Sequence, residues 1–251
     1  MNHGEIMETP KLIINGKRVD GRSVEDLRNV RIETNVLNEA DGSAFVEWGG
    51  NKVICGVYGP RECIPRHEAS PYRALIKCRY SMSPFASLEE HGRSGPNRRS
   101  IELSKVIGEV FENVIIAEAF PKTQIDIYID VLQAEGGTRV AAITAAAVAL
   151  ANAGIPMKDM VSGISVGKID DHLVVDLGKA EDNYGQSDIP IAFAHRTKDI
   201  LLLQMDGLLT KEEFVKVLEM AEKGAEKVHE LQSGALKKNY EGVKEDVKLS
   251  L

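Results

Sequence analysis

The sequence predicts an α+β fold, two β-sheets with helices packed against them. Three observations carry that prediction. Short segments of alternating polarity recur between turn-forming residues, as half-buried strands require. Two long stretches repeat their apolar residues at helical spacing. A third helical stretch, Val140 to Gly154, is alanine-rich and apolar nearly all round, which places it in the middle of a core.

Taken in order, residues 1–10 read as a flexible, polar lead. Leu12 to Val19 reads as a short strand, Asp20-Gly21-Arg22 as a turn, and Val30 to Leu37 as a strand. Ser43 to Trp48 and Lys52 to Tyr58 flank Gly49-Gly50-Asn51 as a β-hairpin, which Gly59-Pro60 closes. A loop then carries Arg61, Arg66, His67 and Arg73 to a strand over Ala74 to Ser81. After a polar segment from Pro84 to Pro96, a helix is expected from Asn97 to Ala119, with Leu103, Val106, Ile107, Val110, Val114 and Ile115 on its core face. Ile125, Ile127, Ile129 and Val131 alternate with polar residues as a strand that runs into Gly136-Gly137, and Thr138 is a plausible N-cap for the alanine-rich helix.

The second half repeats the plan. Strands are expected at Val161–Ile169 and Leu173–Asp176 around Asp170-Asp171, then at Ile189–His195 and Ile200–Met205. The last helix opens on a capping box, Thr210 and Glu213, and presents Phe214, Val217, Leu218, Ala221, Ala225, Val228 and Leu231 on one face before Gly234 ends it. Residues 11–234 are therefore read as one domain and 235–251 as a C-terminal tail. No repeat is legible residue by residue.

Bulk properties narrow the function. The chain has 251 residues, 43% hydrophobic and 27% charged, the proportions of a soluble globular protein. A net charge of −7 argues against a protein coated with nucleic acid, though not against a local basic groove. Cys55, Cys63 and Cys78 form no C-x-x-C pair, which suggests reduced thiols and a cytoplasmic setting. No apolar run reaches membrane-span length, so no membrane partner is expected, and the start of the chain is unlike a secretion signal. His67, His91, His172 and His195 lack ligand-like spacing and read as non-metal.

Three constellations could carry chemistry. Arg139 in the first turn of a helix opposes the helix dipole, as do Arg98 and Arg99 at the start of the Asn97 helix. Glycines that bare backbone N–H groups, a hydroxyl and guanidiniums together describe a phosphate site; exposed basic turns would look the same. Asp182 and Asp188 lie about 20 Å apart on a straight strand, but Asn183-Tyr184-Gly185-Gln186 is turn-forming and folds them together. Such a pair holds Mg²⁺, or keeps one carboxyl protonated as a general acid; an acidic surface turn is the alternative. Residues 61–105 hold nine Lys/Arg against five Asp/Glu, a basic stretch in an acidic chain that suits a polyanion path or a solvated loop.

Val19-Asp-Gly-Arg22, Asn97-Arg-Arg-Ser100 leading into Val106-Ile-Gly108, Ala134-Glu-Gly-Gly-Thr-Arg139 and Glu181-Asp182 through Asp188 together resemble the RNase PH family, most closely the catalytic subunits of archaeal exosomes. The resemblance covers about residues 12–235 and implies an RNase PH-like (ribosomal S5 domain 2-like) fold. It also implies a phosphorolytic 3′→5′ exoribonuclease that uses inorganic phosphate as co-substrate and releases nucleoside diphosphates. By motif match, Arg99, Gly136, Gly137, Thr138 and Arg139 would bind phosphate. Asp182 would be catalytic and Asp188 its partner on Mg²⁺ or Mn²⁺. Arg61, Arg66, His67, Arg73 and Arg98 would meet single-stranded RNA. The family pattern further implies a hexameric ring of three heterodimers with an inactive homologue, capped by S1/KH-type RNA-binding subunits. A homohexameric RNase PH that trims tRNA, and a non-catalytic RNA-binding subunit, are the alternatives.

Overall fold

The computed structural model describes residues 10–87 and 97–249, with side chains to Asn239. The lead before residue 10, His91 and the rest of 88–96 lie outside the described residues. Asn15 and Gly16, both at positive φ, turn the first stretch into a hairpin of β1 (Ile13–Ile14) and β2 (Lys17–Arg18), not the single strand that alternation predicts. Asp170 anchors it by accepting from the N–H groups of Leu12 and Ile13 at 2.7 and 2.8 Å.

The first sheet begins with β3 (Val30–Thr34), β4 (Gly42–Trp48) and β5 (Asn51–Glu62), an antiparallel meander in which Trp48 pairs with Asn51 across Gly49-Gly50 as expected. β5 does not stop at Gly59-Pro60. Its register slips between Tyr58 and Arg61, where proline lacks a donor, and pairing resumes to Glu62. Then β6 (Leu75–Met82), α1 (Arg98–Val114) and β7 (Thr123–Gln133) form a crossover unit, with β6 parallel to β7 and the order β3-β4-β5-β7-β6. α1 ends short of Ala119. Ile115 turns extended to bridge Met157, and Ile116 N–H donates to Pro156 O at 3.0 Å, so tertiary pairing wins over helix continuation at two β-branched residues.

α2 (Thr138–Asn152) carries no accessible surface on any side chain from Val140 to Leu150, and packs against β4 and β5 on one side and β8 on the other. The second sheet comprises β8 (Val161–Ile169), β9 (His172–Val175), β10 (Ser187–Ala194), β11 (Ile200–Leu203) and the unforeseen β12 (Asp206–Gly207), all antiparallel, with α3 (Lys179–Tyr184) between β9 and β10. α4 (Lys211–Leu249) opens on the expected reciprocal cap: Thr210 N–H donates to Glu213 and Glu213 N–H to Thr210. It runs straight through Gly234, whose cost in a helix, about 1 kcal/mol, its strong helix-forming neighbours outweigh. Leu231 is exposed, and Gln232 turns inward instead, accepting from Ser162 Oγ at 2.7 Å and donating to Val161 O at 2.9 Å. The helices are not confined to one side of the strands. Gly163 of β8 faces α2 while Ile164 faces α4, so the second sheet is covered on both faces.

A buried ionic network joins the two halves. Asp176, fully buried, accepts from the backbone and guanidinium of Arg28 (2.6 Å from N and from Nη2) and from Trp48 Nε1 at 3.0 Å. Arg22 reaches the same carboxylate at 3.3 Å, while Arg18 pairs with Glu181 of α3. Burial pushes the Asp176 carboxyl up, but the bonds and charge of Arg28 and the Trp48 bond outweigh it and hold the group below the usual carboxylate range. Asp176→Asn leaves Arg28 buried without a counter-charge, and we expect a loss of about 3–5 kcal/mol in denaturant unfolding. Because the folded value is depressed, this contribution is present above about pH 4 and fades as pH falls through the folded value. The wild type should therefore lose stability in acid more steeply than the variant; parallel acid titrations would remove Asp176 from this role.

Candidate active site

Two helix starts and one strand end converge on a cleft of about 510 Å³. α2 begins because Gly137, at φ +71°, turns the chain out of β7; Gly137, and not Thr138, is the N-cap. Glycine caps without a side chain, so the first N–H groups of α2 have no side-chain acceptor, and its first turn holds no acid. α1 is capped by Asn97, which accepts from Ser100 N at 2.8 Å, and its first turn is likewise free of acid.

Gly137, Thr138, Arg139 and Arg99 all line the cleft. Arg139 is half-buried and its Nε has no hydrogen-bond partner among the described residues. Burial lowers its proton affinity and Arg99 adds to that, against Asp188. A half-buried cation with an unpartnered Nε, beside a second guanidinium and an uncapped helix start, is built for an anion. Gly136, at φ +75°, stands behind this wall. A Cβ there would meet the backbone of Gly178 and Lys179 at 2.7 Å, and its carbonyl accepts from Asn51 Nδ2 and Arg28. Its contribution is to let the turn lie against α3.

Asp182 and Asp188 line the same cleft. They are brought together by a helix-to-strand junction, Asp182 on α3 and Asp188 on β10, in place of the simple turn expected. Burial pushes the Asp188 carboxyl up to about 7, with the charge of Asp182 adding to it. Burial also raises Asp182, which the nearby Arg99 and Arg139 oppose; it keeps more contact with solvent than Asp188. Asp206 is a third carboxylate of the cleft, directly across the β10–β12 ladder from Asp188, and it raises both. Sequence reasoning missed it, because a two-residue strand leaves no periodic signal. Glu102 and Gln204 complete the rim.

The basic stretch is more dispersed. Arg98 is exposed and absent from the cleft wall. Arg61 is a strand residue that donates to Asp126 Oδ2 at 2.7 Å, lies over the Tyr58 ring, and lines a separate hollow of the first sheet with Arg79 and Tyr128. Arg66, in a single 3₁₀ turn, pairs with Glu62 at 2.7 Å. His67 and Arg73 are exposed without a side-chain partner among the described residues. Carboxylates thus occupy part of the positive charge that the composition suggested was free.

Comparison with known proteins follows this division of the chain. Residues 26–156 match the 3′ exoribonuclease family, domain 1, and residues 159–224 match domain 2 of the same family. The chain is 53% identical over 233 residues to the exosome complex component Rrp41 of Thermococcus onnurineus, covering 93% of each protein. It is 52% identical over 246 residues to that of Pyrococcus abyssi, covering 96% of this chain and 98% of the relative. Among solved structures, the Archaeoglobus fulgidus exosome with RNA bound to the active site superposes with TM-score 0.74 at 26% identity, over 86% of this chain and 92% of that one. Rice (Oryza sativa) Rrp46 superposes with TM-score 0.78 at 24% identity, over 88% of this chain and 100% of that one, a likeness of fold. With both family domains matched in order around one cleft, and relatives sharing half its residues along almost its whole length, the chain belongs to the RNase PH family of 3′ exoribonucleases.

Proposed function

We propose that the chain is the catalytic subunit of an exosome-type ring and removes 3′-terminal nucleotides from single-stranded RNA by phosphorolysis. One observation carries the reading: a single cleft holds Arg139, whose Nε has no partner among the described residues, a second guanidinium and an uncapped helix start, together with a carboxylate, Asp188, that burial and the charge of Asp182 make hard to ionise. A free anion belongs with the arginines and proton or cation chemistry with the carboxylates. Arg99, Arg139, the hydroxyl of Thr138 and the N–H groups opening α2 hold inorganic phosphate in line with the last phosphodiester, so that its entropy of approach is lost on binding and not in the chemical step. A phosphate oxygen attacks the terminal nucleotide's phosphorus, the bond to the preceding 3′ oxygen breaks, and that oxygen takes up a proton. The product is a nucleoside 5′-diphosphate.

Asp182 and Asp188 face the leaving oxygen; Asp188, pushed up to about 7, suits a proton held near neutrality, and Asp182 is shifted in the same direction. The all-oxygen donor set, Asp182 and Asp188 with Asp206 adjacent, fits Mg²⁺ or Mn²⁺. No closed cage of three or more His, Cys, Asp or Glu side chains exists among the described residues, as expected where one or two carboxylates share the ion with substrate phosphates. When bound, the ion would neutralise charge on the leaving oxygen. The exosome names of the relatives support membership of an exosome-type complex; in the proposed assembly this chain alternates with an inactive homologue in a ring under S1/KH-type caps, and His67 and Arg73 are the basic-loop side chains freest to meet RNA. No helix among the described residues is long and apolar enough to cross a membrane.

With 5′-labelled RNA, Mg²⁺ and assembled protein, degradation should require inorganic phosphate and yield nucleoside diphosphates; nucleoside diphosphates without phosphate should lengthen the 3′ end. Monophosphates released independently of phosphate would point to hydrolysis. Bound RNA that is never degraded would favour a non-catalytic subunit. Asp182→Asn should remove at least ~3 kcal/mol of transition-state stabilisation while RNA binding survives; near wild-type turnover would exclude the residue from the chemistry. Arg99→Ala and Arg139→Ala should each raise the KM for phosphate by about tenfold or more, the scale of a lost charge-assisted hydrogen bond. Effects confined to RNA affinity would assign the two guanidiniums to the RNA chain instead.

A further inference from the structure

The two arginine-bearing helix starts are joined by a residue that does not itself line the cleft. Tyr80 lies on β6, 2% exposed, inside the main core. Its N–H donates to Ser104 Oγ at 2.9 Å, and Ser104 Oγ donates to Ser100 O at 2.6 Å, which ties its backbone to the opening turns of α1. Its hydroxyl reaches the other way and donates to Thr138 Oγ1 at 3.2 Å, at the first residue of α2. One residue therefore spans the helix of Arg99 and the helix of Arg139. Burial pushes the phenol up, and the Thr138 bond and the charges of Arg99 and Arg139 oppose it, so the hydroxyl lies within electrostatic reach of both arms.

The direction of that hydrogen bond matters. A phenol is a far stronger acid than an aliphatic hydroxyl, so Tyr80 is the natural donor and Thr138 the acceptor. Thr138 then keeps its own hydrogen for a second partner. Among the described residues its hydroxyl makes no other hydrogen bond, and it stands in the cleft wall between Gly137 and Arg139. We propose that Tyr80 is a positioning residue for the anion site: by donating to Thr138 Oγ1 it commits the threonine hydrogen to the bound phosphate, and through β6 it fixes the separation of the two helix starts. The inference rests on the reading of inorganic phosphate as co-substrate and adds to it a residue outside the family motifs quoted above.

Tyr80→Phe deletes one hydroxyl and keeps the ring that fills the core. In the assembled, full-length protein it should raise the KM for phosphate about fivefold, the scale of one neutral hydrogen bond. The kcat at saturating phosphate and the KM for RNA should stay within about twofold, since no uniform RNA contact is lost. Thr138→Val keeps the side-chain shape without the hydroxyl. If Tyr80 acts through that hydroxyl, adding Tyr80→Phe to Thr138→Val changes nothing further. An unchanged phosphate KM in Tyr80→Phe, or an undiminished effect in the Thr138→Val background, would overturn the proposal. Thermal protection of the RNA-free protein by inorganic phosphate supplies a readout without turnover. Phosphate protection that Tyr80→Phe weakens would uphold the site even if RNA cleavage proved independent of phosphate. Absence of any protection in the wild type would sink both readings.

Discussion

Asp176 is the point on which the rest of the molecule turns. Its carboxylate is fully buried, and removing a charge from water costs several kcal/mol unless partners replace the lost hydration. Arg22 and Arg28, from the loop between β2 and β3, and Trp48, at the end of β4, supply those partners. The arrangement reaches past the carboxylate. Arg28 Nη1 also donates to Glu135 O at 2.7 Å, which fixes the turn that opens α2. Arg18 donates to the carbonyls of Val175 and Asp176 and pairs with Glu181, one residue before Asp182. A single buried network therefore sets the Gly136-Gly137 turn and the helix of Asp182 relative to each other. Preorganisation of the cleft is a consequence of how the core closes.

The division of charge across the cleft follows from that frame. Arginines stand at helix starts, where the dipole gives them no support, and at Arg139 burial and the charge of Arg99 both weigh against the cation. Carboxylates gather elsewhere in the same cleft, where burial first, and then the charges of Asp182 and Asp206, make it hard for Asp188 to ionise. Neither group satisfies the other by direct ion pairing; no salt bridge joins Arg99 or Arg139 to Asp182 or Asp188 among the described residues. Both groups are thus left with unmet electrostatic demand. Native proteins accept such local conflict where a ligand resolves it, and here an anion at the arginines and a proton or cation at the carboxylates would do so.

Much of this was legible in the sequence, and the limits of legibility have a physical pattern. Arg99, Gly137, Thr138 and Arg139 could be read because a misfit between residue type and helix position is a local property. The burial of α2 followed from its alanines, and the hairpin at Gly49-Gly50 from its turn residues. Asp176, Arg28, Trp48, Tyr80 and Asp206 could not be read, because each acquires its role only across a long-range contact. Local signals also misled where tertiary pairing competed with them: Ile115 leaves its helix for Met157, and Arg61 and Arg66 lose their freedom to Asp126 and Glu62. A count of charges records how many there are, not which are already engaged.

The position of α2 explains why the anion site can be stringent. A helix on a protein's surface moves with its loops, whereas α2 is packed by a sheet on each side with no accessible side chain along its middle. Alanine makes that packing possible, since larger side chains between two sheets would force strain of about 1–3 kcal/mol at each site. The helix start inherits the rigidity of the core, and Thr138 and Arg139 are displayed from the end that opens on the cleft. Phosphate is small and nearly symmetric, so selectivity for it must come from fixed distances between donors. A core helix with one end open to a cleft supplies such distances without needing any closing motion.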